Sequence, residues 1–250
     1  MAHITLDRPE LHNAFNEVVM AELTDAFARM SESPEVRAVV LRSEGKSFCA
    51  GADVNWMKRM VDFTFDENVV DASLLSRMLL AIRNCPKPVI ARIHGAAIGG
   101  GVGLTAACDM AVAVKSAVFC LSEVKLGIIP AVISPFVMEK IGPGHMRRFG
   151  LTAERFDAME AKRIGLISEV VDSADGLDGW IASIVKALLD CAPGAIAVCK
   201  QTLREVQGLD WGRIETLTTR RIAERRVSAE GQEGLKAFLE KRSPSWIPRE

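Results

Sequence analysis

Two glycine-containing segments carry the first sign of chemistry in this sequence. Residues 47–53 are Ser-Phe-Cys-Ala-Gly-Ala-Asp, and residues 94–101 are His-Gly-Ala-Ala-Ile-Gly-Gly-Gly. Each segment follows a predicted strand and opens into a predicted helix, so its backbone N–H groups lack partners and a ligand can approach them closely. Two such groups directed at one point would form an oxyanion hole, which stabilises charge developing on a carbonyl oxygen. Glycines that merely permit tight packing are the alternative interpretation.

Neither segment fits a known nucleotide-binding loop. Residues 45–47 are Gly-Lys-Ser, as at the end of a P-loop, but Val40 stands where that motif needs its first glycine. Residues 99–103 are Gly-Gly-Gly-Val-Gly, and Leu104 replaces the last glycine of a dinucleotide fingerprint. His94 lies beside a glycine, but the sequence has no GxSxG elbow and no metal-ligand spacing. We therefore predict a structural histidine and no metal site.

Strands that alternate with helices are predicted to position these turns. Short runs rich in Val, Ile and Ala predict buried strands, and apolar residues at helical spacing predict helices between them. This alternation implies right-handed crossovers and a largely parallel sheet, so the predicted fold class is α/β. The strands are predicted at 37–42, 88–93 and 110–114, and the helices at 16–30, 72–83 and 101–108.

The last third of the chain is predicted to be helical. No long linker rich in Pro, Gly or Ser precedes it, so we predict a core over residues 1–175 and a helical region over 176–250 that packs on the core or on a neighbouring subunit. Residues 2–6 look like the second half of a strand or hairpin, which predicts a truncated N-terminal strand. The helices are predicted at 176–189, 194–206, 211–226 and 230–241.

Composition argues against several classes of function. The 31 basic and 32 acidic residues give a net charge of −1, which favours neither nucleic acid nor a membrane surface. No apolar run approaches the ~20 residues of a bilayer span, and no signal-peptide pattern is present. Six cysteines without a CxxC pair indicate a reducing, cytoplasmic location. Arginines 220, 221, 225 and 226 alternate with glutamates, which favours a solvated or intersubunit helix face over RNA binding.

Four segments together resemble the enoyl-CoA hydratase/isomerase, or crotonase, superfamily over nearly the whole chain. The resemblance implies a crotonase-type spiral of repeated ββα units with a C-terminal helical trimerisation region, assembled as a homotrimer or a dimer of trimers. It implies an acyl-CoA thioester as substrate, with coenzyme A arriving as part of it and no metal or redox cofactor. The segments are LDRPELHNAF (6–15), FCAGAD (48–53), GAAIGGG (95–101) and SEVKLGIIP (122–130).

The resemblance also assigns roles to three residues. Ala52 and Gly100 match the donors of the two oxyanion-hole amides, which would hold the thioester oxygen as it becomes an enolate. Glu123 matches the second catalytic glutamate of the family, which positions water at the β-carbon and exchanges protons with it. Apolar neighbours would raise the pKa of this carboxyl toward its working range. A solvated carboxylate at the end of a short strand is the alternative.

Gly103 departs from the pattern of hydratases with paired glutamates, which carry the first of their two carboxylates there. Glycine transfers no proton, so hydration would need Glu123 to act alone or with an ordered water, whereas an isomerase needs only one base. An enoyl-CoA isomerase and a non-catalytic acyl-CoA-binding protein are therefore the rival interpretations.

Longer segments favour the hydratase among these alternatives. Residues 50–57, 101–104 and 119–135 resemble the bacterial methylglutaconyl-CoA hydratase branch of leucine and acyclic-terpene breakdown, whose members share the glycine. The resemblance implies reversible syn addition of water across a 2,3-enoyl-CoA double bond. It also implies a branched, carboxylated substrate such as 3-methylglutaconyl-CoA.

Phe238 and Lys241 match the family's C-terminal helix, which reaches the nucleotide of a neighbouring subunit by stacking and a cation near phosphate. An ordinary amphipathic helix is the alternative. Ala50 and Asp53 are also predicted to contact coenzyme A. Two positions that are cationic in some relatives are Glu10 and Asn55 here, which leaves Arg8, His12, Lys58 or Arg59 to contact the phosphates.

Overall fold

Short strands that divide between two sheets form the framework of the protein. The computed structural model describes residues 1–247, and each strand has two to five residues. The strands are β1 (Ala2–Leu6), β2 (Val39–Ser43), β3 (Ser47–Cys49), β4 (Val89–Ile93), β5 (Ala96–Ile98), β6 (Met110–Val114), β7 (Val118–Cys120), β8 (Phe156–Asp157) and β9 (Glu169–Val171).

The larger sheet contains five parallel strands in the order β1-β2-β4-β6-β9. Its central strands are mostly apolar and buried, as expected for a parallel sheet that is covered on both faces, although β2 contains Arg42 and β4 contains Arg92. Val39 pairs with Val89, and Ile90 pairs with Met110, so the strands stack in register across the sheet.

The smaller sheet has the order β3-β5-β7-β8, in which only β8 runs antiparallel to its neighbour. The pairs β2/β3, β4/β5 and β6/β7 each place one strand in each sheet, and helices follow each pair. This repeat confirms the predicted α/β class and the spiral of ββα units, with the helical region at the C-terminal end.

Several helices begin where a side chain satisfies one of their free N–H groups. The Asn16 side chain accepts a hydrogen bond from the N–H of Val19, and Thr64 forms a capping box with Glu67. The helices are α1 (Glu17–Glu32), α2 (Val54–Met60), α3 (Phe65–Asn84), α4 (Gly100–Ala107), α5 (Ser134–Thr152), α6 (Ala158–Arg163), α7 (Ala174–Leu189), α8 (Pro193–Glu205), α9 (Trp211–Val227) and α10 (Ala229–Leu239).

Two of the differences between the structure and the sequence predictions have a clear physical reason. α3 begins at Phe65, well before the predicted start at 72, because exposed Val69 and Val70 obscure the apolar periodicity of its first turns. β3 and β5 lie inside the segments predicted as glycine turns. Strands of three residues are too short to show an alternating pattern.

The C-terminal helices differ in how they contact the core. α7 buries Leu177 and Ile181 against the larger sheet, whereas α8 and α9 bury no residue fully. Within residues 1–247, no single helix has the length and apolar character needed to cross a membrane. The bent pair α7 and α8 meets that test only when its two helices are counted together.

Candidate active site

Three neighbouring parallel strands of the smaller sheet, β3, β5 and β7, end at one edge of that sheet. Ala52, Gly100 and Glu123 each follow the end of one of these strands by two or three positions. The carboxyl ends of parallel strands form the usual place for a site in α/β proteins. The topology therefore brings the three residues predicted to be catalytic to one edge.

The first two turns contact each other backbone to backbone. A Cβ built on Gly51 would lie 2.9 Å from the carbonyl oxygen of Ile98 and 3.5 Å from the nitrogen of Gly100. Gly51 also has a φ of +89°, a conformation that other residues rarely adopt. Glycine is therefore required at position 51 for the two turns to meet.

Ala52 and Gly100 carry unpaired N–H groups at this contact. Both residues are half-buried, and within residues 1–247 neither N–H donates a hydrogen bond. The groups around Ala52 are fixed, because the N–H of Phe15 donates to the Gly51 carbonyl and the N–H of Asp53 donates to the Phe15 carbonyl. Gly100 is the first residue of α4, where the helix dipole adds positive potential. The pair has the chemical character of an oxyanion hole.

The Phe15 ring packs against the backbone of Gly100. A Cβ on Gly100 would lie 2.3 Å from Cζ of the buried Phe15 ring, so the ring packs directly on the glycine backbone. The Phe15 and Trp56 ring centroids are 6.4 Å apart, and Trp56 Nε1 donates to the buried Asp71 carboxylate at 3.0 Å. Phe15 lies within a segment that carried the family resemblance, but its type and spacing did not indicate this contact.

Glu123 opens the 3-10 helix Glu123–Leu126 that follows β7. Its Oε1 lies 3.1 Å from the position that a Cβ on Gly99 would occupy. Its Oε2 is buried and has no hydrogen-bond partner among residues 1–247. Burial raises the pKa of the Glu123 carboxyl above its ordinary value, although its own backbone N–H partly opposes this. Such a carboxyl can accept a proton and return it readily.

Gly103 lies one helical turn after Gly99 on α4. A Cβ on Gly103 would lie 2.5 Å from Cγ2 of Ile133, whose side chain is only 2% exposed. The place at which paired-glutamate hydratases carry a further carboxylate therefore faces an isoleucine here. Periodicity in the sequence marked Ile133 only as apolar, and nothing in its surroundings pointed to the site.

Asp53 and Ala50 hold the shape of the first turn. Asp53 is 4% exposed, its Oδ2 accepts from Arg8 at 2.8 Å, and its Oδ1 accepts from the N–H of Asn55 at 2.8 Å as the cap of α2. The N–H of Ala50 donates to the carbonyl of His12. The contact of these two residues with coenzyme A stays a prediction, while their internal bonds show a positioning role.

The cations near the turn differ in how firmly they are engaged. Arg8 donates both to the Asp53 carboxylate and to the carbonyl of Ala14, the latter at 2.7 Å. Arg59 pairs with Glu17 at 2.5 Å. His12 Nδ1 is hydrogen-bonded to the Ser47 hydroxyl at 3.1 Å. Lys58 is exposed and forms no ion pair within residues 1–247, so it is the most available of the four.

Phe238 and Lys241 lie apart from these turns in the single chain. Phe238 is 81% exposed on α10, which packs on α8 and α9. Among residues 1–247, no hydrogen bond or ion pair joins either residue to the turns at 49–53, 98–103 or 120–123. Within residues 1–247, neither residue is therefore tied to the turns of its own chain by a polar contact.

Two other predicted features have structural partners. His94 Nε2 donates to the carbonyl of Gly45 at 2.9 Å, whereas its Nδ1 is buried without a hydrogen-bond partner among residues 1–247. Three of the four arginines at positions 220, 221, 225 and 226 form ion pairs within the chain, and the prediction of a solvated or intersubunit helix face stays a prediction. The pairs are Arg220 with Glu224, Arg221 with Glu205, and Arg225 with Glu230.

A cavity of about 570 Å³ lies at the other end of the larger sheet, near the residues that precede β4 and β6. Its cations are already engaged, since Lys140 donates to the Asp109 carbonyl and Lys200 pairs with the Asp109 carboxylate.

The described residues contain no group of three or more His, Cys, Asp or Glu side chains that could hold a metal ion.

Comparison with known proteins agrees with this geometry. The profile of the family described as Enoyl-CoA hydratase/isomerase matches residues 1–249. A crystal structure of an enoyl-CoA hydratase from Shewanella pealeana superimposes with a TM-score of 0.94 at 42% identity, covering 98% of this chain and 91% of that one.

Two curated relatives differ in their named activities. Enoyl-CoA hydratase ACTT6 from Alternaria alternata is 35% identical over 82% of this chain and 66% of its own length. The peroxisomal Delta(3,5)-Delta(2,4)-dienoyl-CoA isomerase of Arabidopsis thaliana is 32% identical over 97% of this chain and 91% of its own length. Hydratase and isomerase names thus both occur among proteins similar to this chain.

Proposed function

The chain belongs to the enoyl-CoA hydratase/isomerase family, and on that premise we propose that it is a hydro-lyase that adds water reversibly across the 2,3-double bond of an enoyl-CoA thioester. One observation supports this most strongly. Within residues 1–247, two unpaired backbone N–H groups and one half-buried carboxyl group, whose Oε2 is buried without a partner, come together at the ends of three parallel strands. Hydration of a conjugated thioester requires these two kinds of group.

The N–H groups of Ala52 and Gly100 would act on the thioester oxygen. The oxygen of water bonds to C3, and the electrons of the C2–C3 double bond move toward the thioester oxygen. An enolate forms, with its negative charge on the thioester oxygen. Two fixed donors stabilise the charged enolate oxygen more strongly than they stabilise the neutral carbonyl oxygen of the substrate. This difference lowers the barrier to reaction rather than merely tightening substrate binding.

Glu123 would perform both proton transfers in turn. Its carboxylate takes a proton from water as the C3–O bond forms, and the resulting acid gives that proton to C2 as the enolate collapses. The carboxylate is regenerated, so the atoms and charges balance with one glutamate. Because a single group serves both carbons, water and proton add to the same face of the double bond, which is syn addition.

The finer assignments extend this proposal. We infer that the substrate is branched and carboxylated, such as 3-methylglutaconyl-CoA, on the resemblance of residues 50–57, 101–104 and 119–135 to that branch. Coenzyme A would enter as part of the substrate, with no separate cofactor. The free state of all six cysteines supports a reducing, cytoplasmic location.

We further infer that the protein assembles as a homotrimer or a dimer of trimers. α10 exposes an apolar surface formed by Leu235, Phe238 and Leu239, and this surface favours contact with another subunit. In such an assembly Phe238 and Lys241 would reach the nucleotide of coenzyme A bound to the neighbouring subunit.

The test is turnover of 3-methylglutaconyl-CoA and crotonyl-CoA in ¹⁸O-water by the unaltered protein and by Glu123→Gln. We expect label in the 3-hydroxyacyl product and a fall of roughly 100-fold or more in kcat/KM for the variant. Product with label at an unchanged rate in the variant would remove Glu123 from the mechanism. Binding without turnover would indicate a non-catalytic acyl-CoA-binding protein.

An enoyl-CoA isomerase is the second candidate, favoured by the single carboxylate and by the similarity to the Arabidopsis isomerase. Isomerisation needs one base to carry a proton between two carbons, and Glu123 could do this without water. Migration of the double bond with no incorporation of ¹⁸O would establish this function in place of hydration.

A further inference from the structure

Two glycines at the start of α4 each contact a residue from another part of the chain. Gly99, its N-cap, contacts Oε1 of Glu123, and Gly103, one turn further on, contacts Ile133. Residues four apart lie about 6 Å from each other along a helix. The Gly103 N–H donates to the Gly99 carbonyl at 3.3 Å, so the contact with Ile133 and the contact with Glu123 lie one helical turn apart at the start of α4.

Ile133 closely fills the space next to Gly103. A Cβ on Gly103 would lie 2.5 Å from Cγ2 and 2.9 Å from Cβ of Ile133, with Leu79 Cδ1 at 3.8 Å on another side. Ile133 is also the N-cap residue of α5, and its carbonyl accepts from the N–H of Val137. Its position is thus fixed by a helix start, and it cannot withdraw at little cost.

We propose that Ile133 is a positioning residue for Glu123, which fills the space of a second carboxylate and keeps the one carboxyl group in apolar surroundings. The proposal rests on the proposed function, because it assigns Glu123 the whole proton transfer. It also explains why glycine suits position 103, because with isoleucine at position 133 any side chain there would have to displace Ile133.

Few ionisable groups surround Glu123. The negative charge of Glu123 contributes to raising the pKa of the Cys120 thiol on β7. Lys125 lies on the same 3-10 helix as Glu123 and is exposed. α5, which packs against this 3-10 helix, has its first ionisable side chain at Glu139, paired with Arg83. Residues 99–103 and 128–133 contain none. Water that entered beside Glu123 would therefore be the main change in its surroundings if Ile133 were shortened.

The first experiment measures steric coupling by thermal unfolding of Gly103→Ala, Ile133→Gly and the double variant. We expect Gly103→Ala to lower the Tm by about 5 °C in the unaltered background, as for overpacking. In the Ile133→Gly background, where both clashing atoms are absent, the same change should lower the Tm by less than half as much. Equal effects in the two backgrounds would overturn the proposal.

The second experiment measures the pH dependence of kcat/KM for Ile133→Ala. Water admitted beside the carboxyl removes the cost of burial, so the pKa of Glu123 falls and the acid limb moves to lower pH, by about half a unit or more. Ile133→Val, which keeps most of the apolar volume, should restore most of the original profile. An acid limb that does not move in Ile133→Ala would overturn the positioning role.

Ile141→Ala is the matched control, since Ile141 is buried on the same helix away from Gly103. It should lower the Tm and leave the pH profile in place. A shift as large as that of Ile133→Ala would show general loosening and overturn the proposal. Absence of turnover in the unaltered protein would refute the proposed function alone, because the unfolding cycle tests the packing of Ile133 without any substrate.

Discussion

Glu123 and Gly99 are in direct contact, with the carboxylate Oε1 lying 3.1 Å from the point where a Cβ on Gly99 would stand. Gly99 has a φ of +52° and a ψ of −117°, and its N–H donates to the carbonyl of Cys120 at 2.8 Å. The turn that presents the oxyanion amide and the strand end that presents the carboxylate are thus joined through one glycine.

Gly99→Ala is expected to impair activity and stability together. The added methyl group would displace the Glu123 carboxyl, and misplacement of a catalytic group by about 1 Å costs on the order of 100-fold in rate. The backbone conformation, rare for residues other than glycine, adds about 1–3 kcal/mol of strain. Steady-state kinetics and thermal unfolding measure the two effects.

Gly179→Ala is the control for this change, because Gly179 lies within α7 with open space around its Cα. It should stabilise the protein by up to about 1 kcal/mol through helix propensity and leave kcat/KM unchanged. If Gly99→Ala behaved like this control, Gly99 would have no part in placing Glu123.

Ala52→Pro tests the oxyanion amide, since proline has no N–H and alanine at this position uses only its backbone. We expect kcat to fall by about 100- to 1000-fold, the usual loss for one oxyanion donor. Ala52→Gly keeps the N–H and should retain activity within about tenfold of that of the unaltered protein. Circular dichroism and the Tm establish that both variants fold. Full activity of a folded Ala52→Pro would exclude this amide from catalysis.

The framework of the fold could be predicted from sequence, because its signals are local. β6 coincides with the predicted range 110–114, and α1 begins one residue after the predicted start, where Asn16 is the cap. β3 and β5 could not be predicted from periodicity, since strands of three residues take their stability from pairing with strands distant in sequence.

The motifs located residues that lie together at the strand ends, whereas the residues that pack against them could not be located from sequence, and the catalytic roles stay predictions. Ala52, Gly100 and Glu123 were named from their motif positions, and the topology brings them together. Phe15 and Ile133 acquire their place only through contacts with Gly100 and Gly103, which no single segment of sequence encodes. Asp53 was predicted only to contact coenzyme A, whereas the structure shows that its side chain caps α2.

Asp53→Asn tests whether Asp53 acts on the turn or on coenzyme A. Burial alone would raise the pKa of Asp53. The hydrogen bonds from the Asn55 N–H and the Arg8 guanidinium together lower it by a larger amount, so the pKa lies below its ordinary value. Its ionised form therefore stabilises the fold at pH values above the pKa of the unfolded chain, and this stabilisation is lost as the pH falls through the folded-state pKa.

Asparagine keeps the cap of α2 and loses the ion pair, so Asp53→Asn should lower stability by about 2 kcal/mol at pH 7. The difference from the unaltered protein should shrink steadily in acid, as measured by urea unfolding between pH 7 and pH 3. A turn-holding role predicts a lower kcat as well as lower stability. A raised KM with unchanged stability would instead assign Asp53 to coenzyme A.

Phe238 and Lys241 should affect binding of the substrate and not the chemical step. If α10 reaches coenzyme A in a neighbouring subunit, Phe238→Ala and Lys241→Gln would each raise KM by about tenfold and leave kcat unchanged, because they remove binding that substrate and transition state share equally. Leu151→Ala and Lys115→Gln are the controls, because they replace exposed residues that are distant in sequence from α10, and they should leave KM unchanged.

Light scattering after size exclusion would report whether each variant keeps its assembly. A trimer with an unaltered KM in both α10 variants would refute the assignment of these two residues, whereas a monomer with a raised KM would show that the nucleotide site needs the neighbouring subunit.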